Sequence, residues 1–163
     1  MNKKEKRGRK IVISVIILIV VLLMGGVLLA GGMSGWFDDS KITLDNEYYG
    51  EGAEFIGLSA GEYENLIKDK KTFLVFVDQG GCTTADRLRG YMKDYMKEKG
   101  ILAYRIMFSD LKESSLHNKV KYYPSVAVVS KGKVVGFLRA DVDEDAEMYN
   151  DYEAFKGWIG KWL

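Results

Sequence analysis

Cys82 is the single cysteine of the 163-residue chain and stands in the run Gly80-Gly81-Cys82-Thr83-Thr84-Ala85. A lone thiol cannot close a disulfide within its own chain, so any redox chemistry of Cys82 involves a second molecule. A second cluster, Asp141, Asp143, Glu144, Asp145 and Glu147, has the Asp-x-Asp-x-Asp spacing of a calcium loop. An EF-hand also needs Gly at its sixth position and Glu at its twelfth, where this chain has Ala146 and Tyr152. A solvated acidic loop is therefore expected. His117 is the only histidine and lies in a polar stretch, which excludes a metal centre built of histidines and leads to the expectation of surface exposure. Neither a metal nor a cofactor is expected.

The elements that must hold Cys82 can be read from hydrophobic spacing. Phe73-Leu74-Val75-Phe76-Val77 is a continuous apolar run of the length and composition of a strand covered on both faces. Beyond Cys82, the residues Leu88, Tyr91, Met92, Tyr95 and Met96 recur at helical spacing and give a core-facing helix that ends at Gly100. Before the strand, Ser59-Ala60-Gly61-Glu62 has the form of a capping box opening a helix to about Lys70, preceded by an edge strand over 54–58. Further strands are expected at Ile101–Phe108, Val126–Val129 and Val134–Leu138, the last two forming a hairpin turned at Lys131-Gly132-Lys133. A short helix over Asp110–Val120 and a terminal helix with Tyr152, Phe155, Ile159 and Trp162 on one face complete the order β-α-β-α-β-α-β-β-α.

This α/β order, with a cysteine opening the helix after the second strand and a lone proline before the hairpin, resembles the thioredoxin fold: a central mixed sheet flanked by helices. The family pattern runs from an apolar strand into W-C-x-x-C, then to a cis-proline about 40–45 residues on, then to a hairpin with Gly. Here Cys82 lies 42 residues before Pro124, the only proline, and Gly132 lies eight after it. The resemblance covers residues 53–163 and implies a cis bond at Tyr123-Pro124 facing Cys82. It also implies that the Tyr122-Tyr123-Pro124 loop contacts the backbone of a client; the bland alternative is that both tyrosines cover the sheet edge. Gly81, Cys82, Thr83, Tyr123 and Pro124 are the candidate client-facing residues, with Cys82 as the candidate catalytic thiol.

The motif departs from the family where the second half of a disulfide cycle is concerned. In the two-cysteine mechanism the second thiol releases the mixed disulfide formed by the first. Ala85 occupies its position, Gly81 replaces the tryptophan, and Phe76 stands where a buried carboxylate assists the resolving thiol. Asp78 is expected in the exposed turn. Cys82 at a helix N-terminus is placed where backbone N–H groups favour a thiolate; the competing reading is a small, semi-buried remnant with no reactive role. Thr83 and Thr84 read as helix caps. Monothiol glutaredoxins also keep only the first cysteine, but their glutathione and cluster motifs have no match here. Two function classes stay open: a monothiol taking part in thiol-disulfide exchange through Cys82, or a non-enzymatic binding module for a protein or peptide client. For the second, the chain is similar in size and layout to membrane-anchored thioredoxin-like proteins described as bacteriocin transport accessory factors, which implies a role in secretion or peptide export.

The N-terminal part bears on location. No residue from Ile11 to Phe37 is charged, and Ile11 to Ala30 is almost wholly aliphatic. About 20 such residues span a bilayer, whereas the apolar region of a cleaved signal peptide is roughly 7–15 long. Six bases and one acid fall in the first ten residues, so the positive-inside rule puts residues 1–10 in the cytoplasm and the rest outside, on a single-pass protein of the plasma membrane. The remaining 18 bases and 22 acids give residues 11–163 a charge of −4, which disfavours nucleic acid as a partner. The expected organisation is a basic tail at 1–10, a transmembrane helix at 11–31, a spacer at 32–52 and a thioredoxin-like domain at 53–163.

Overall fold

The apolar run expected as a covered strand is β2, Phe73–Asp78, and all six of its residues are buried. The computed structural model describes residues 41–163; the expected basic tail, membrane span and first part of the spacer lie outside the described residues. Among those described, no helix is long and apolar enough to cross a membrane.

Around β2 the sheet has the order β1-β3-β2-β4-β5, with β1 at Ile56–Gly57, β3 at Tyr104–Met107, β4 at Ser125–Ser130 and β5 at Lys133–Phe137. β1, β3 and β2 run parallel, while β4 and β5 are antiparallel additions. Side chains alternate across a strand, so β2 serves two layers. Phe73 packs edge-on against Tyr63 of helix α1, Ala60–Lys68, with ring centroids 6.2 Å apart, while Phe76 faces helix α2, Thr83–Lys99. Tyr91 and Tyr95 of α2 meet Phe155 of the terminal helix α4, Tyr152–Ile159, at 6.1 and 6.4 Å.

Local chemistry fixes the ends of these elements. The capping box is formed: the Glu62 N–H donates to Ser59 Oγ at 3.3 Å and the Ser59 N–H to Glu62 Oε2 at 2.8 Å. Gly100 ends α2 in the left-handed region, φ 61°. The hairpin turn places Lys131 at φ 50° and Gly132 at φ 73°, and the Gly132 N–H donates to the Lys71 carbonyl at 2.9 Å. This pins the turn to the chain leaving α1.

Four expectations differ from what is seen. The helix expected over Asp110–Val120 is two short pieces, α3 at Phe108–Leu111 and a 3-10 turn at Ser115–Asn118. The break falls where Ser114 Oγ donates back to the Leu111 carbonyl at 2.8 Å and competes with helix propagation. His117 is half-buried rather than exposed, and its Nδ1 has no hydrogen-bond partner among the described residues. Residues 41–52, the described part of the expected spacer, pack on the domain. Leu44 and Tyr48 are buried, Tyr49 bridges to Ile101, and the Ile42 N–H donates to the Trp162 carbonyl at 2.6 Å. Asp78, expected in an exposed turn, is the fully buried end of β2.

Candidate functional site

β2 ends at Asp78, and the chain turns through Gln79-Gly80-Gly81 into α2. Gly81 takes φ 74°, a conformation that L side chains adopt at a cost, and this reversal delivers Cys82 to the start of the helix. Cys82 itself is the N-cap: its backbone is extended, its carbonyl accepts from the Asp86 N–H at 3.0 Å, and its side chain caps nothing. Thr83 and Thr84 are thus the first helical residues rather than caps. The thiol is half-buried. Ala85, at the place of a resolving cysteine, is completely buried.

Across from Cys82 the Tyr123-Pro124 bond is cis, as expected. Pro124 is buried, and Tyr123 is half-buried and stacks on Phe108 with centroids 5.5 Å apart. Cys82, Thr84, Tyr123 and Pro124 share one open cavity of about 440 Å³. Gly81 and Thr83 are exposed and do not line it; Tyr122, 56% exposed, lines a smaller neighbouring cavity with Lys119 and Lys121.

The far wall is the segment from Arg139 to Asn150, which the sequence presented only as an acidic loop. Most of its acids are exposed, but Asp145 is buried and takes three bonds from Arg139: the backbone N–H at 2.7 Å, Nε at 3.2 Å and Nη2 at 3.1 Å. Burial raises the Asp145 pKa, yet the Arg139 guanidinium and N–H outweigh it and hold the carboxyl below its usual range. The 3-10 turn Asp143–Tyr149 is then fixed at its other end. Tyr149 is buried, which pushes its hydroxyl pKa up, and this hydroxyl donates to the Pro124 carbonyl at 3.0 Å. Arg87 of α2 donates to Asn150 Oδ1, and the Tyr91 hydroxyl to the Asn150 carbonyl at 3.0 Å. One wall of the cavity is thereby tied to both the Cys82 helix and Pro124.

A buried charge centre joins the end of β2 to the helix that Cys82 opens. Asp78 accepts from Arg89 Nη2 at 2.8 Å and Nε at 3.0 Å, and from Arg105 Nε at 2.6 Å. Asp78 raises the pKa of Arg89. Both carboxylate oxygens are occupied by guanidinium donors, so the group is committed to joining β2, α2 and β3 rather than to handling a proton of the thiol. The described residues contain no group of His, Cys, Asp and Glu side chains able to hold a metal.

Reasoning from sequence missed Arg139, Tyr149 and Asn150 as cavity wall, and Asp145 as the buried anchor of Arg139. A polar loop carries no period, and the available signal was Tyr149 standing at the end of a run of acids.

No family model and no curated protein matches the chain. Among solved structures it is similar to thioredoxin from Schistosoma mansoni, with a TM-score of 0.51, 18% identity, and coverage of 70% of this chain and 100% of that one. It is also similar to a mutant thioredoxin from Halobacterium salinarum, TM-score 0.48, 16% identity, covering 69% and 93%. A third is thioredoxin from Trypanosoma brucei brucei, TM-score 0.45, 14% identity, covering 73% and 99%. Together with the sheet order, the likeness to the Schistosoma protein shows that residues 41–163 of this chain have a thioredoxin-like fold.

Proposed function

We propose that this protein is a membrane-anchored, extracytoplasmic monothiol that exchanges disulfides with a protein or peptide client through Cys82. The observation that carries the reading is that a half-buried thiol, at the N-cap of a 17-residue helix, opens into the same cavity as Tyr123 and Pro124. In the step proposed, the Cys82 thiolate attacks one sulfur of a client disulfide, forming a Cys82–client disulfide and releasing the other client sulfur as a thiolate. An external thiol then attacks the mixed disulfide, returns Cys82 as thiol and leaves disulfide-bonded to the client. The buried Ala85 supports this need for an outside resolving thiol. The anchor and orientation rest on the apolar run from Ile11 and the bases before it.

One observation favours a non-enzymatic binding module in a secretion or peptide-export system: the wall of the cavity is held by the Tyr149 hydroxyl on the Pro124 carbonyl and by the Arg139–Asp145 pair, bonds in which the thiol takes no part. Incubation with a small model disulfide, followed by intact-mass measurement, separates the two readings. The exchange reading expects a one-to-one mixed disulfide that is lost in Cys82→Ser; recovery of unmodified protein after long incubation overturns it in favour of the binding module. Protease shaving of intact cells tests the orientation, which expects loss of the C-terminal domain; its survival counts against an outside location.

A further inference from the structure

The end of the sheet opposite Cys82 is basic. β2 begins at Phe73, and the residues before it, Lys70, Lys71 and Thr72, lie against the hairpin turn Lys131-Gly132-Lys133. The Gly132 N–H donates to the Lys71 carbonyl at 2.9 Å, and the Lys131 N–H to Thr72 Oγ1 at 3.0 Å. Lys68 closes the last turn of α1 beside them. Lys68, Lys70, Lys131 and Lys133 are exposed, and among the described residues none of the four forms an ion pair. Of the acids at this end, Asp45 and Glu47 are engaged by Lys71, and Asp69 is exposed. Glu64, a turn nearer the start of α1, accepts instead from the Ser115 N–H. Five lysines, Lys71 included, against three acids leave the patch at +2.

The chain enters the domain at this same end, where the Asp45 N–H donates to the Thr72 carbonyl at 3.1 Å. Nine residues, 32–40, separate Lys41 from the span expected at 11–31. Such a tether reaches about 30 Å at full extension, so the domain stays close to the bilayer that holds it. Cys82 follows the other end of β2, beyond Asp78. We infer that the lysine patch docks the domain on the anionic phospholipid headgroups of its own membrane, leaving the Cys82 cavity turned to the aqueous side where a client arrives. This rests on the membrane-anchored part of the proposed function and deepens it. Tethering makes the docking intramolecular, so a weak attraction suffices. Basic side chains beside an anionic bilayer supply one that decays within a Debye length.

The test uses the full chain reconstituted into vesicles of phosphatidylcholine alone and of equal parts phosphatidylcholine and phosphatidylglycerol. Sulfosuccinimidyl acetate, which does not cross the bilayer, acetylates the lysines of outward-facing domains, and mass spectrometry gives a rate at each. Rates are divided by those of Lys119 and Lys121, which line the small cavity next to that of Cys82, so that a general effect of vesicle charge on the reagent cancels. In the anionic vesicles the normalised rates at Lys68, Lys70, Lys131 and Lys133 should fall at least about threefold, and high salt should restore them. Lys68→Gln/Lys133→Gln should restore labelling at Lys70 and Lys131; the parent's rates and their salt dependence decide the matter even if the double variant folds poorly. Equal normalised rates in the two compositions, with the chain floating on both, overturn the inference while the anchored reading stands. Protection that persists in the folded double variant overturns the assignment to this patch. A chain that alkaline carbonate strips from phosphatidylcholine vesicles overturns the anchored reading and this inference with it.

Discussion

Arg89 grips the fully buried carboxylate of Asp78 with two parallel bonds, Nη2 to Oδ1 at 2.8 Å and Nε to Oδ2 at 3.0 Å, across the junction between the Cys82 helix and the end of β2. Arg105 of β3 completes the centre at 2.6 Å. Removing one member of a buried ion pair strands the other, and that loss exceeds what an exposed pair contributes. Arg89→Ala should therefore destabilise the domain by about 2–3 kcal/mol, with Arg105 limiting the damage. The urea midpoint checks it, and a loss indistinguishable from that of Lys93→Ala, which breaks an exposed pair with Glu54, would count against a structural role.

The hairpin turn gives a second expectation. A Cβ on Gly132 would stand 2.4 Å from the Ile67 carbonyl oxygen, and the residue has φ 73°. Gly132→Ala thus combines a clash against backbone with a strained conformation, and should cost about 2–3 kcal/mol. A thermal melt unchanged from the parent would show that the turn does not dock on α1 as described.

Ala85→Cys tests the missing half of the cycle. A resolving thiol on the same helix turn acts at high effective concentration, so turnover in a disulfide-reduction assay should rise by at least about tenfold. Phe76, replacing a carboxylate that assists such a thiol, limits the gain. No rise in a variant shown to fold, together with no mixed disulfide that can be trapped on Cys82, would make Cys82 an unreactive remnant.

Tyr149→Phe removes the hydroxyl that donates to the Pro124 carbonyl at 3.0 Å. The buried carbonyl then lacks this donor, which should cost about 1 kcal/mol and raise amide exchange over Asp143–Tyr149. Exchange unchanged in that segment would mean that the bond does not hold the wall.

Acid should loosen the same wall from its other end. The Asp145 pKa in the folded domain lies below its usual value, because Arg139 outweighs the effect of burial. A carboxyl depressed on folding contributes stability in full above its unfolded pKa, about 3.9, and loses it as pH falls through the folded value. The stability of the parent should therefore drop more steeply below about pH 4 than that of Asp145→Asn. Parallel curves would remove Asp145 from the acid response.

The strands, the long helix and the Cys82–Pro124 pairing were legible because periodicity and spacing encode them. Phe73–Val77 has no polar interruption, and Leu88 to Met96 keeps helical spacing. Asp78 was not legible. A carboxylate followed by Gln-Gly-Gly has the local chemistry of a turn, and its burial depends on two arginines, 11 and 27 positions away in sequence, that only the fold brings together. Leu44 and Tyr48 escaped notice for a related reason: two apolar residues in a polar stretch form no period, and Tyr48 meets its partners Phe73 on β2 and Tyr104 on β3. The cavity wall at 139–150 was hidden because its order comes from Arg139–Asp145, a pairing within the loop that no period announces, and from Tyr149–Pro124, 25 positions apart.

The bond from the Ile42 N–H to the Trp162 carbonyl brings the beginning and the end of the described domain side by side. A reporter fused after Leu163 would emerge close to Lys41 and Ile42, not on the opposite side of the described domain. The same adjacency makes the domain a candidate for circular permutation, with Leu163 joined to Lys41 by a short linker and new termini opened at an exposed loop.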